Sequence, residues 1–273
     1  MTMALQGKVA FITGGARGLG KAFAEALLDR GAKVSLADIN TKLGNVTEKD
    51  LKSKYGGNSA IFSKCDVTSV EDLRACYKKT IDTFGGLDVV INNAGIMNED
   101  NFEQMIDINL TAIIRSSYIA SNYMTKDKGG KGGIIINVSS ASGMFPSPFL
   151  LTYTGVKHGV IGFSRAMALN VKDFNKFGLR VAALCPSFAE TDMIDPKNIH
   201  RETSRPDDMT QPNMEESAHA ILQGVKQMGI MDPKTVVDGM LELVSEPKCN
   251  GAVLSITPEG TKYIHPKKLA NKL

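Results

Sequence analysis

Short apolar runs alternate with stretches of helical spacing along most of this chain. Residues 8–13 (KVAFIT) form an apolar run that ends at glycines. Just after it, Leu19, Phe23, Ala26 and Leu27 share one helical face, which predicts a helix over residues 19–30 stopped by Gly31. The strand signal returns at 33–37, 60–65, 87–91, 133–138, 180–184 and 252–256, and residues 70–84 read as a helix closed by a Gly-Gly pair. Strands made of continuous apolar residues are buried on both faces, the habit of parallel sheets covered by helices. The alternation therefore predicts an α/β fold, a doubly wound (Rossmann) parallel sheet of about seven strands in a single domain over residues 1–258. A polar stretch from Asp195 to Glu216 carries three Pro and few apolar residues. It reads either as a surface loop or as a lid over a substrate pocket.

Composition narrows the class. The net charge is +3, from 32 Lys and Arg against 29 Asp and Glu. Residues 259–273 hold four Lys and one acid, which leaves 28 bases and 28 acids in the body. A neutral body lacks the basic face of a nucleic-acid-binding protein. No run of apolar residues is long enough to span a membrane, and the N-terminus has no signal-peptide pattern. Cys65, Cys76, Cys185 and Cys249 are far apart with no CxxC, so they read as buried thiols of a reducing, cytoplasmic compartment. His158, His200, His219 and His265 share no ligand spacing, and no metal is expected. The basic tail reads as solvated surface, or as an attractor for the carboxylate of an acidic lipid.

Two constellations carry chemistry. The first follows strand one: Thr13-Gly14-Gly15-Ala16-Arg17-Gly18-Leu19-Gly20. Gly14, Gly18 and Gly20 allow a tight turn and a close backbone approach, and the helix start beside Arg17 and Leu19 faces a pyrophosphate. Asp38 ends the second strand, 24 residues after Gly14. A carboxylate there binds a ribose 2′-hydroxyl and repels a 2′-phosphate, favouring NAD over NADP, although Arg17 leaves an NADP-linked reductase open. The alternative for Asp38 is a cap of the next helix. Asp66-Val67 either meets the adenine or caps the helix near Ser69, and Asn92-Asn93-Ala94-Gly95 lies against the cofactor. The second constellation is Tyr153-x-x-x-Lys157, with Ser140 at the end of the fifth strand. One helical turn apart, the ammonium favours the phenolate and fits the tyrosine for general acid–base work on an alcohol. A second pair at this spacing, Tyr263 and Lys267, has Pro266 between its members and is set aside.

TGxxxGxG, Asp38, NNAG, Asn109, Ser140 and YxxxK stand in the order and spacing of the short-chain dehydrogenase/reductase family, which the chain resembles over residues 6–258. The resemblance implies that Ser140 orients the substrate oxygen and Tyr153 is the acid/base. It implies that Lys157 lowers the tyrosine's pKa and holds the nicotinamide ribose, and that Asn109 holds a relay water. It also puts Thr191 at the carboxamide and implies a homodimer. Longer stretches, including NNAGIMNEDNFE, GGKGGIIINVSS and KHGVIGFSRA, resemble members that use NAD to oxidise a secondary alcohol on a lipid acid, such as a prostaglandin or hydroxy fatty acid. Ser140, Leu150, Tyr153, Phe188 and Met228 then face the substrate. Leu150 stands where those members have glutamine, Met228 where they have an aromatic, and Ser187 where Gly is usual after the sixth strand. Loss of a polar contact relaxes specificity, so another apolar alcohol, an isoprenoid or a steroid, is the alternative substrate. A catalytically idle nucleotide-binding scaffold on the same fold is the alternative of a different class.

Overall fold

The computed structural model describes residues 5–190, 222–226 and 229–264. The expected lid at 195–216, Thr191, Met228 and the tail lysines 267, 268 and 272 lie outside them. Strands β1 (Val9–Thr13), β2 (Lys33–Asp38), β3 (Ala60–Lys64), β4 (Val89–Asn92), β5 (Gly133–Val138), β6 (Leu179–Pro186), β7 (Val253–Thr257) and β8 (Gly260–Tyr263) form one sheet. Its order is β3-β2-β1-β4-β5-β6-β7-β8, parallel from β3 to β7. The helices are α1 (Gly18–Leu28), α2 (Thr41–Tyr55), α3 (Val70–Phe84), α4 (Phe102–Ile106), α5 (Ala112–Met124), α6 (Leu151–Asn170), α7 (Phe174–Phe177) and, after the undescribed residues, α8 (Pro233–Ser245).

Alternate residues of each strand feed two cores. Ala10, Ile12, Val34 and Leu36 pack with Phe23 and Leu27 of α1 and Met240 and Leu243 of α8. Phe11, Val90, Ile135 and Val181 pack on the other face with Leu73 and Tyr77 of α3 and Met124 of α5. Burying both faces explains why the strands read as unbroken apolar runs. Helix α1 starts one residue earlier than predicted and ends at Leu28, because the chain turns through Asp29 and Arg30 to Gly31 at φ 83°.

The eight strands agree with the expected total of about seven, and the last of them lies inside the segment read as a solvated tail. β8 pairs antiparallel with β7 across the two residues Pro258 and Glu259. Pro258 looks like a strand breaker in the sequence, but it sits in the turn, where no ladder hydrogen bond is required. Tyr263 packs on the first core, while exposed Lys262 marks β8 as a charged edge strand. Among the described residues no helix is long and apolar enough to cross a membrane.

A buried polar chain crosses beneath the carboxyl ends of the central strands. Ser116 Oγ shares a hydrogen bond with Tyr77 Oη at 2.7 Å and donates to Asn92 Oδ1. Asn92 Nδ2 donates to Asn137 Oδ1 at 2.8 Å, and Asn137 Nδ2 donates to Ser164 Oγ at 2.9 Å. This chain ties β4 and β5 to α3, α5 and α6. Asn137→Ala removes one shared acceptor and one donor from a site closed to solvent, and should lower the unfolding free energy by about 2–4 kcal/mol. A urea titration measures it, and an unchanged midpoint would show that the chain contributes no stability.

Candidate active site

The strand order reverses between β1 and β4, and their carboxyl ends open a crevice. Thr13 Oγ1 closes its floor by accepting from the amides of Asn93 (3.0 Å) and Ala94 (3.1 Å). Asn93 Nδ2 donates back to the carbonyls of Thr13 and Gly14 at 3.1 and 3.2 Å. The glycines are required here. Gly14 and Gly18 have φ of 64° and 54°, and a Cβ on Gly20 would lie 2.0 Å from the Gly14 carbonyl oxygen. Helix α1 begins at Arg17 with no side-chain cap and no acid in its first turn. Such a start leaves amides and the positive end of the helix dipole for an anion. The crevice therefore fits a dinucleotide pyrophosphate.

Asp38 Oδ2 accepts from the Ala16 amide at 3.0 Å and Oδ1 accepts from the Asn40 amide at 2.9 Å. The cap of α2 is Asn40, so the cap reading of Asp38 falls. Each oxygen of the carboxylate keeps acceptor capacity for a ribose diol. Asp66 Oδ1 is engaged by the Thr68 amide and hydroxyl, and Ser69 caps α3. Val67 lines the crevice with Thr13, Ala94 and Ile108.

The second constellation stands beside the first. Ser140 follows β5, and its Oγ accepts from the Ser142 amide at 3.2 Å. Tyr153 and Lys157 project from α6, and Lys157 Nζ lies 5.4 Å from the Tyr153 ring centroid. That ammonium donates to the Val138 carbonyl at 3.1 Å, and Ser139 Oγ donates to the Lys157 carbonyl at 2.9 Å. Both side chains are buried. Burial pushes the Tyr153 phenol up to about 12, against a smaller downward pull from the Ser140 hydroxyl. Burial also pushes Lys157 down to about 8. In the ligand-free site loss of solvent is the largest influence on the phenol, and the Lys157 ammonium is held by the Val138 carbonyl. Asn109 is fully buried. It sits in a π-helical turn, Asp107–Thr111, with its Oδ1 on the Ile96 amide (2.8 Å) and its Nδ2 on the Ile96 carbonyl (2.7 Å). Its side chain thus holds both backbone groups of Ile96, and its amide keeps one further N–H and one further lone pair.

An apolar wall completes the site. Leu150, Tyr153, Met105 and Val225 form one buried cluster, flanked by Ile96, Met97 and Phe188. The structure thereby brings the predicted Leu150 and Phe188 to Tyr153. Met105, Ile96, Met97 and Val225 were not anticipated, since isolated apolar residues in three separate segments leave no periodic signal. Nor was Glu99, whose carboxylate accepts from the amides of Thr152 (2.9 Å) and Tyr153 (2.8 Å). His158 lies on the exposed side of α6, with Nδ1 2.9 Å from the Thr154 carbonyl.

The depressed lysine has a consequence for stability. Below pH 8 the folded protein buries a charge, whereas the unfolded chain holds the same charge in water up to its ordinary value of 10.5. Between those values the unfolded state binds more protons, so this group's destabilising effect fades as pH rises. Lys157→Met should raise the Tm of the ligand-free protein at pH 7, and the gain should shrink between about pH 8 and pH 10.5. Thermal melts across that range check it. A gain that stays constant or grows would contradict the buried charge.

A family model described as short chain dehydrogenase matches residues 8–202. Human 15-hydroxyprostaglandin dehydrogenase (NAD+) is 40% identical over 263 residues, covering 96% of this chain and 95% of that protein. A 3-oxoacyl-(acyl-carrier-protein) reductase of Vibrio cholerae is 37% identical over 210 residues, covering 74% of this chain and 82% of that one. Among solved structures, a short chain dehydrogenase/reductase from Burkholderia phymatum in complex with NAD aligns with a TM-score of 0.76 at 21% identity, covering 89% and 87% of the two chains. A family match across most of the chain and a relative at 40% identity over nearly all of it agree with the crevice and the Ser140–Tyr153–Lys157 cluster, and the chain belongs to the short-chain dehydrogenase family.

Proposed function

We propose that this protein is an NAD-dependent dehydrogenase that oxidises a secondary alcohol on an apolar, lipid-like molecule to the ketone, with 15-hydroxyprostaglandins and hydroxy fatty acids as the leading substrates. One observation carries the reading: Tyr153, one turn from Lys157 and beside Ser140, belongs to a wall made otherwise of apolar side chains. The likeness to 15-hydroxyprostaglandin dehydrogenase supports the substrate class. Asp38 supports NAD, because its carboxylate repels a 2′-phosphate.

Bound NAD supplies the hydride acceptor for the carbinol carbon. Ser140 Oγ donates to the substrate oxygen and fixes its distance from Tyr153. Tyr153 Oη, as phenolate, takes the hydroxyl proton, and in the reverse direction the phenol returns it to the carbonyl oxygen. Lys157, charged below about pH 8, adds positive potential beside the forming phenolate. Leu150, Phe188, Met105 and Val225 exclude water and hold the substrate's apolar flanks. An isoprenoid or steroid alcohol is the second reading. It is favoured by buried Leu150, which contributes no polar contact to the substrate.

The homodimer also belongs to this reading. Tyr118 and Tyr123 of α5 and Leu169 of α6 are exposed, and Tyr118 packs edge-on against Phe163 of α6. A second copy covering these helices buries that apolar surface.

A panel of hydroxy-lipids, isoprenoid alcohols and steroids with NAD, followed as NADH, tests the activity. Tyr153→Phe should lower kcat/KM by about 10²–10⁴. An inactive wild type, or a Tyr153→Phe variant as fast as wild type, rejects the proposal. Tighter binding of NADP than of NAD rejects the role of Asp38. The pH dependence has a definite sign. A phenol at about 12 is protonated at neutrality, so oxidation, which needs the base, should accelerate from pH 7 towards about 8, where Lys157 still keeps its charge, while ketone reduction should not.

A further inference from the structure

Helix α6 carries Tyr153 in its first turn, yet it begins at Leu150, a residue with no capping group. Its early amides would stand unpaired at the wall of the pocket. They are satisfied from far away in sequence. Glu99 Oε2 accepts from Thr152 N at 2.9 Å and Oε1 accepts from Tyr153 N at 2.8 Å. An ordinary N-cap side chain satisfies one of these two donors, whereas this carboxylate takes both and adds a negative charge at the positive end of the helix. The second amide belongs to Tyr153 itself.

The loop that delivers Glu99 is held at its other end too. Asn109 grips Ile96 through both backbone groups, at 2.8 and 2.7 Å. Ile96 and Met97, between the two attachments, pack on the cluster of Leu150, Met105 and Tyr153. The same loop begins at Gly95, directly after the Asn93 and Ala94 amides bound by Thr13 in the crevice. One short segment therefore joins the nucleotide crevice, the apolar wall and the backbone of the tyrosine.

We propose that Glu99 is a positioning residue for the dehydrogenase reaction: by holding the first turn of α6 it sets the Tyr153 hydroxyl at a fixed place relative to the pocket wall and the cofactor crevice. The inference rests on Tyr153 as the acid/base. The hydrogen bonds of Glu99 run to the first turn of α6 and not to the glycine turn or Asp38, so the pyrophosphate and adenosine-ribose contacts of NAD lie away from it. Misplacing a reacting group by about 1 Å costs on the order of 100-fold in rate, so removing the contact acts on kcat.

The test compares Glu99→Gln, which keeps one acceptor, and Glu99→Ala, which keeps none, with Glu103→Gln, an exposed acid on α4. Turnover is measured with NAD and the most active alcohol of the panel, NAD affinity by titration, and amide exchange over residues 150–157 on the ligand-free protein. The expected result is a fall in kcat of about 10- to 100-fold for Glu99→Ala and a smaller fall for Glu99→Gln. The dissociation constant for NAD should stay within about twofold, exchange at 152 and 153 should accelerate, and Glu103→Gln should match wild type. Wild-type kcat in both Glu99 variants overturns the inference. So does loss of NAD binding in parallel with kcat, or failure of both variants to fold, since either means a general structural role. Tyr153→Phe run alongside separates the two claims. If it is fully active, the acid/base assignment fails first; if it is inactive while the Glu99 variants are not, only the positioning role fails.

Discussion

A parallel sheet covered on both faces leaves its polar backbone groups only two places to go, the ladder and the strand ends. The candidate active site is arranged at the carboxyl ends, where that constraint is met by side chains. Thr13 closes the gap between β1 and β4 through the amides of Asn93 and Ala94. Asn92 and Asn137 bond across β4 and β5, and Ser164 continues the link into α6. Lys157 takes the last carbonyl of β5, that of Val138. The groups that complete the sheet and the groups of the candidate active site are therefore neighbours, and in Lys157 they are the same residue.

Much of this was legible in the sequence because it is local. Continuous apolar runs identify strands buried on two faces, and residues 133–138 and 70–84 match the observed β5 and α3 to the residue. The glycine turn, Asp38 and the Tyr153–Lys157 spacing are also local patterns, and the structure brings each to the expected strand end or helix face. What was not legible depends on distance in the chain or on burial. Glu99 lies 54 residues before Tyr153 in the sequence, so no window contains both. Asn109 is recognisable as an asparagine of the family pattern, but its engagement with Ile96 depends on the π-helical turn that aims it. β8 was hidden because Pro258 marks a turn and a strand end in the same letter.

The ionisation of the central pair belongs to the illegible part for a simple reason. Sequence spacing gives the separation of two groups, and separation alone predicts that an ammonium lowers a phenol's pKa. Burial acts on both groups at once and in opposite directions, up for the phenol and down for the ammonium. With Tyr153 pushed up to about 12 and Lys157 down to about 8, burial is the larger effect on each. The ligand-free site thus holds the phenol protonated, which suits the donor of the reducing direction.

The side chains that cause this burial also line the pocket proposed for the substrate. Leu150, Met105 and Val225 exclude water from Tyr153, and the same atoms form the wall against which an apolar alcohol would lie. A glutamine in place of Leu150, as the family resemblance leads one to expect, would bring a hydrogen-bonding group to the substrate and a polar group near the phenol together. Acidity and specificity are therefore not separable properties of this pocket. A wall without such a group binds apolar flanks by exclusion of water and leaves recognition of the reacting oxygen to Ser140 and Tyr153. Under the proposed function, that division of labour would give a broad preference for the shape of the apolar part and a strict requirement for the position of the hydroxyl. The strict requirement falls on the first turn of α6, and so on the carboxylate of Glu99 that holds it.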